Sequence, residues 1–163
     1  MSRRSRAELD VLMRRLGQDL ALQFAGPYGM FDDADLQLKR GRPGTRRTAD
    51  LEVVAGIGAA EQMLVNRLKT QRGELAALGH PDYGSRHHEL IGQPNVERTR
   101  NLIKLYVLQA LADEPRVQKV LACVVYAPHT PPREHVRIEI ELRLIDEPNP
   151  LNLVVPFSLE AAA

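Results

Sequence analysis

Three histidines fall within nine residues: His80, His87 and His88. Imidazoles ligate transition metals, and two at i,i+4 on one helix face can share an ion. His87 and His88 are adjacent instead, so on a helix they point about 100° apart. No carboxylate cluster completes a ligand set. The three are expected as solvent-exposed polar residues, with no metal and no cofactor. Glycoside hydrolysis would need two carboxyls roughly 5–10 Å apart in a cleft. Glu74, Glu89 and Glu114 are conceivable acids, yet no spacing singles one out. With three Phe, four Tyr and no Trp, the chain has few aromatics for a sugar groove or a base-stacking platform. Cys123 is the only cysteine, which excludes an internal disulfide and any cysteine-based zinc site. Its neighbours Val120, Leu121, Val124 and Val125 make it a small buried hydrophobe. No G-x-S-x-G elbow, P-loop or G-x-G-x-x-G run is present. Lys39–Arg47 holds five basic residues in nine, which suits a solvated loop or an acidic partner.

Composition narrows the classes further. The 163 residues are 44% apolar and suffice for one domain with an appendage. Lys plus Arg number 22 and Asp plus Glu 21, so no general attraction to nucleic acid or anionic membrane is expected. Residues 1–50 hold ten basic and seven acidic side chains, and the remainder twelve and fourteen. No apolar run reaches the ~20 residues of a membrane span. No signal-peptide core follows Met1, and a small soluble intracellular protein is expected.

Periodicity supplies the elements that must position these residues. Leu9, Leu12, Met13, Leu16 and Leu20 recur at helical spacing, so residues 6–24 are expected as an amphipathic helix ended by Pro27 and Gly29. Asp35–Leu38 and Asp50–Val53 alternate and read as a hairpin around the basic loop. A helix is expected from Gly56 to Thr70, with Ile57, Ala60, Leu64 and Leu68 on its apolar face. Ser85 is placed as the cap of a short helix to Ile91. Asn95 is placed as the cap of a longer one. Val96, Thr99, Ile103, Tyr106, Val107, Ala110 and Leu111 form that helix's stripe, and Pro115 stops it near Glu114. Val117–Tyr126 reads as a well-covered strand. Val136, Ile138, Ile140, Leu142 and Leu144 alternate with Arg137, Glu139, Glu141 and Arg143, a half-buried strand. Leu151, Leu153, Val155, Phe157 and Leu159 alternate again, and Pro156 assigns this strand to an edge. Helices and strands segregate, which predicts an α+β fold: helices packed on a small antiparallel sheet, preceded by an N-terminal helix and a hairpin. The expected division is a helical extension 1–34, a core domain 35–160 and a tail 161–163. No internal repeat emerges.

Several segments in their order carry a resemblance. A helix opened by Gly56-Ile57 runs to Leu68-Lys69-Thr70-Gln71-Arg72-Gly73-Glu74. Then come His80-Pro81-Asp82-Tyr83-Gly84-Ser85, Glu89-Leu90-Ile91-Gly92, and a long helix ending Glu114-Pro115-Arg116-Val117. Together they resemble the baseplate wedge and sheath-initiator family of contractile tails. Members occur in contractile phages, tailocins, extracellular contractile injection systems and type VI secretion baseplates. The likeness covers roughly 35–160 and is most specific over 68–117.

The resemblance implies a non-enzymatic structural protein that links the baseplate wedge to the first sheath ring and initiates sheath polymerisation, six copies per baseplate. Glu114, Pro115 and Arg116 match the family's Glu-Pro-Arg motif, which is implied to help tie the wedge's helical bundle together. Pro81, Asp82, Tyr83 and Gly84 match its fixed loop between helices, a structural turn. The β portion is implied to accept or donate sheath strands, on strands that carry Val136, Ile138, Ile140, Leu142, Leu153, Val155 and Phe157. The implied partners are the sheath protein by strand pairing, the wedge proteins through the helical region, and the central hub or tube. No membrane and no specific nucleic acid is implied. The location would be the cytoplasm during assembly, then the baseplate of the virion or injection particle. Some members are labelled lysozyme-like, so a peptidoglycan hydrolase is the rival reading. A nucleic-acid-binding adaptor using Lys39–Arg47 is the third.

Overall fold

The computed structural model describes residues 11, 14–25, 33–40, 49–129 and 133–160. The chain divides into two compact units, Met1–Met63 and Leu64–Ala163.

The first unit departs from the helix expected over 6–24. Residues 14–16 are helical, but Gly17 turns to φ +88° and the chain leaves the helix there. That backbone region suits glycine, which has no Cβ to clash. Leu9, Leu12 and Met13 lie outside the described residues. Leu20 belongs to strand β1 (Gln18–Leu20), and β2 (Leu22–Phe24) follows. Leucines four apart satisfied a helical period, while Leu20, Leu22 and Phe24 also satisfied a period of two.

Four more short strands complete this unit: β3 (Ala34–Leu36), β4 (Leu38–Arg40), β5 (Ala49–Leu51) and β6 (Val53–Ala55). β1 pairs with β6, β2 with β3 and β4 with β5, all antiparallel. The extended segments 18–24, 34–40 and 49–55 therefore each pair with both of the others. Where they meet, the Ala21 N–H donates to the Glu52 carbonyl at 2.9 Å. The Glu52 N–H donates to Gln37 at 2.9 Å and the Gln37 N–H to Ala21 at 2.8 Å, which closes a ring. An internal repeat underlies this junction, contrary to the sequence reading: Asp19-Leu20, Asp35-Leu36 and Asp50-Leu51 occupy matching places. The hairpin expected over 35–55 is one of the three arms, and its loop, 41–48, lies outside the described residues. Register sets Leu20 opposite Val53, Leu22 opposite Leu36 and Leu38 opposite Leu51. Side chains two apart share a face, so these six apolar residues form one surface. Gln62, on helix α1 (Ile57–Lys69), accepts from the Leu22 N–H at 2.8 Å and donates to the Leu20 carbonyl at 2.9 Å.

The second unit follows the expected order more closely. Leu64 and Leu68 of α1 are fully buried. Single-turn 3-10 segments occupy Ala76–Leu78 and Arg86–Leu90. Helix α2 (Glu97–Ala112) buries Thr99, Ile103, Val107, Ala110 and Leu111. Val96, expected on that stripe, is the extended N-cap residue and is exposed. Asn95 does not cap: its amide donates to the Arg133 carbonyl and its oxygen accepts from Arg100. Strands β7 (Val117–Tyr126), β8 (His135–Leu144) and β9 (Leu151–Ser158) form one antiparallel sheet in that order. The fold is thus α+β with antiparallel sheets.

β8 alternates as expected, burying Val136, Ile138, Ile140, Leu142 and Leu144. β7 has the expected bounds without the expected cover. Cys123 is its one buried residue, while Leu121, Val124 and Tyr126 are exposed. Two register shifts, between Val117 and Lys119 and between Val120 and Ala122, break its alternation. β9 is an edge strand. The Leu159 N–H donates to the Glu134 carbonyl, so that pair is hydrogen-bonded. Antiparallel pairs alternate, and Pro156 opposite Arg137 falls in the non-bonded class. The ring nitrogen of Pro156 therefore faces the free side of the sheet, where no ladder bond is lost.

Candidate functional site

The residues joined most tightly surround Glu114, just past the end of α2. Its side chain is 3% exposed, and both carboxylate oxygens are used. One accepts from Arg67 Nη2 at 3.1 Å. The other accepts from Arg116 Nε at 2.6 Å and from the Arg116 backbone N–H at 3.2 Å. Burial works to raise the Glu114 carboxyl, but the bonds and charges of Arg116 and Arg67 prevail and hold it below the ordinary carboxylate value. The Arg67 guanidinium also lies 4.7 Å from the centre of the Tyr83 ring. Burial is the main reason the Tyr83 hydroxyl is raised. Arg67 Nε is buried without an acceptor among the described residues. One carboxylate thus joins the last turn of α1 to the residue just before β7, and Arg67 carries the link on to the Tyr83 ring.

A second, exposed layer repeats the connection. Arg72 pairs with Asp82 at 2.9 Å and Asp113 at 3.3 Å. Such solvated pairs contribute little stability each, so the buried layer carries most of the constraint. The loop itself is set by Gly84, at φ +100°, where an added Cβ would lie 2.6 Å from the Thr70 carbonyl oxygen. The Ser85 N–H donates to that same oxygen. Of the loop named from the sequence, Tyr83 and Gly84 face inward and Pro81 and Asp82 outward. An open polar cleft of about 560 Å³ lies beside them, and its carboxylates are Asp82 and Asp113.

The structure brings Glu114, Arg116, Tyr83 and Asp82 into one neighbourhood, with Pro115 exposed beside them. Val136, Ile138, Ile140, Leu142, Leu153, Val155 and Phe157 are elsewhere, on the buried face of the sheet. Their side chains cannot meet a partner; only strand backbone at an edge could.

The histidines are a correction. His80 is exposed, but His87 is 1% exposed and His88 is half-buried. His87 Nδ1 is bonded to Ser85 Oγ at 2.7 Å, its ring packs edge-on to Phe157, and His88 donates to the Leu68 carbonyl at 2.9 Å. Burial, helped by the charge of His88, pushes His87 down to about 3. Ser85 is spent on this bond and on Tyr106 rather than on capping. Arg67 was missed altogether. Its signal was a lone arginine between Leu64 and Leu68, inside an otherwise apolar face.

Residues 59–149 match the sequence profile of a family described as baseplate wedge protein gp25. A solved structure of a Geobacter sulfurreducens protein, provisionally named a tail lysozyme, is also similar. The two are 30% identical with a TM-score of 0.54, over 63% of this chain and 90% of that one. No curated protein sequence matches.

Proposed function

The chain belongs to the baseplate wedge protein gp25 family, and from that premise we propose that it links the baseplate wedge to the first sheath ring and starts sheath growth. A structural place in a phage-type baseplate follows from the family itself. The link to the sheath, the copy number of six and the wedge proteins as direct neighbours of the helical region are the proposal. One observation carries it: the family match runs from the first turn of α1 through α2, the Glu114–Arg116 segment and the paired strands β7 and β8. A three-stranded sheet has two end strands, and a sheath strand can add to an end through backbone bonds. With the inner side chains buried, such a strand would be held by backbone, and its register by the outer face.

The name of the Geobacter protein suggests a cell-wall hydrolase. That chemistry needs a carboxyl held protonated near neutral pH. Asp82 and Asp113 in the cleft are each paired with Arg72. Glu89 and Glu114 are both shifted the opposite way, each by an arginine partner. These observations support a scaffold without hydrolase activity. Two assays test the reading. Purified chain mixed with the sheath protein of the same particle should shorten the lag of sheath assembly; an unchanged lag sinks the sheath-initiating role. The same preparation should leave purified peptidoglycan turbid. Clearing that one carboxylate substitution abolishes would make the chain an enzyme.

A further inference from the structure

We propose that the apolar face of the three-armed β junction docks a second copy of this chain, so that two free chains pair face to face through Leu20, Leu22, Leu36, Leu38, Leu51 and Val53. This face lies before residue 59, outside the stretch that matches the family, and the pairing stands apart from the assembly reading above.

The junction has two unlike sides. Alternation puts the six apolar residues on one of them and Asp19, Asp35, Lys39, Asp50 and Glu52 on the other. An antiparallel sheet with one face in water ordinarily turns its polar side outward. Here the chain's own helix takes the charged side. Gln62 of α1 donates to Asp19 Oδ2 at 3.3 Å, and a Cβ at Gly58 would lie 2.8 Å from Val54 Cγ2. Val54 stands opposite Asp19 in the register. The apolar side is left open, from 38% exposed at Leu20 to 70% at Leu38, with Leu22 half-buried. Ala34 and Ala49 extend it along two arms and are exposed as well. Arg40 stands across from Ala49 at the far end of its arm, so charge begins only at the rim.

Size and charge select the occupant. The exposed area of this face is about 500 Å², in the range where the largest patch on a monomer marks an interaction site. Two such faces together remove about 1,000 Å² from water, which is where specific interfaces begin. The six central positions carry no charge, so identical faces meet there without like-charge repulsion. They equally give a different protein no charge to read. Contact between identical faces is twofold and closes at two copies, so it makes a pair and not a fibre.

Sedimentation velocity on the full-length chain from about 1 to 100 μM reads the pairing. Wild type should pass from monomer to dimer across that range. Leu38→Asp should weaken pairing by about tenfold or more, and Leu38→Gln less but in the same direction. Both should unfold within about 2 °C of wild type, because Leu38 lies in water in the single chain. Val154→Asp, at a 49% exposed position of β9, should leave the pairing unchanged. A wild-type chain that stays monomeric to the top of the range overturns the pairing. So does a dimer that survives Leu38→Asp, or one that Val154→Asp breaks, which would put the contact on β9. Two further results overturn it by naming another occupant. A monomeric wild type whose Leu38→Asp variant folds normally but fails to enter baseplates gives the face to a wedge protein. A monomeric wild type that dimerises once residues 1–10 are removed gives it to the chain's own N-terminal segment.

Discussion

A methyl group at Gly84 would press on the Thr70 carbonyl oxygen from 2.6 Å, on backbone at φ +100°. Neither atom can yield, because Thr70 is already bonded to the Ser85 N–H. Gly84→Ala should therefore cost roughly 2–4 kcal/mol in a denaturant melt, more than an ordinary Gly-to-Ala strain. His87 makes a different prediction. Its folded value, about 3, lies below the ordinary 6.5. Between those values the unfolded chain binds the extra proton, so stability is full above pH 6.5 and falls as pH drops toward 3. At pH 4.5 the loss should reach about 2–3 kcal/mol. His87→Leu removes this slope, measurable as a flatter dependence of unfolding free energy between pH 6.5 and 4.5. Glu114, held below its ordinary 4.5, adds its own loss only when pH falls below about that value. At this scale the sequence was partly legible. Glu114 and Arg116 stood out through the family resemblance, whose Glu-Pro-Arg motif they match. Arg67 and His87 did not, because burial of a polar side chain depends on partners brought in from distant segments.

Among the elements, legibility followed the strength of a single period. β8 reads only as a strand, and α1 and α2 have stripes long enough to exclude one. Residues 14–24 fit both periods over a short span, and the left-handed turn at Gly17 decided between them. β7 shows a second limit: an apolar run identifies a strand but not whether anything covers it. β9 carries a testable edge. Pro156 withholds a donor from the free side of the sheet, and edge strands lacking such a block tend to pair with one another. Pro156→Ala should leave the unfolding temperature within about 2 °C, since no ladder bond toward β8 changes. It should raise self-association, seen as a shift toward dimer in sedimentation velocity. If β9 is also where a sheath strand adds, the same change should shorten the assembly lag further.

The whole molecule is two units with different standing. The family match starts at residue 59 and runs through the helices and the first two long strands, so the three-armed β junction falls outside it. No comparable sequence signal announced that junction, because each arm contributes only three paired residues per strand and the Asp-Leu repeat is two letters long. Yet its entrance and exit are one place: the Gly56 N–H donates to the Gly17 carbonyl at 2.9 Å, and both glycines have positive φ. Deleting 18–55 and joining Gly17 to Gly56 should leave Leu64–Ala163 folded, with its backbone amide resonances largely unmoved. Collapse of those resonances would show that the second unit depends on the first. A segment whose two ends already touch is grammatically a parenthesis: it can be dropped, lengthened or rewritten without disturbing the sentence around it. Whatever is written between Gly17 and Gly56 would then leave the fold of Leu64–Ala163 to read on unchanged.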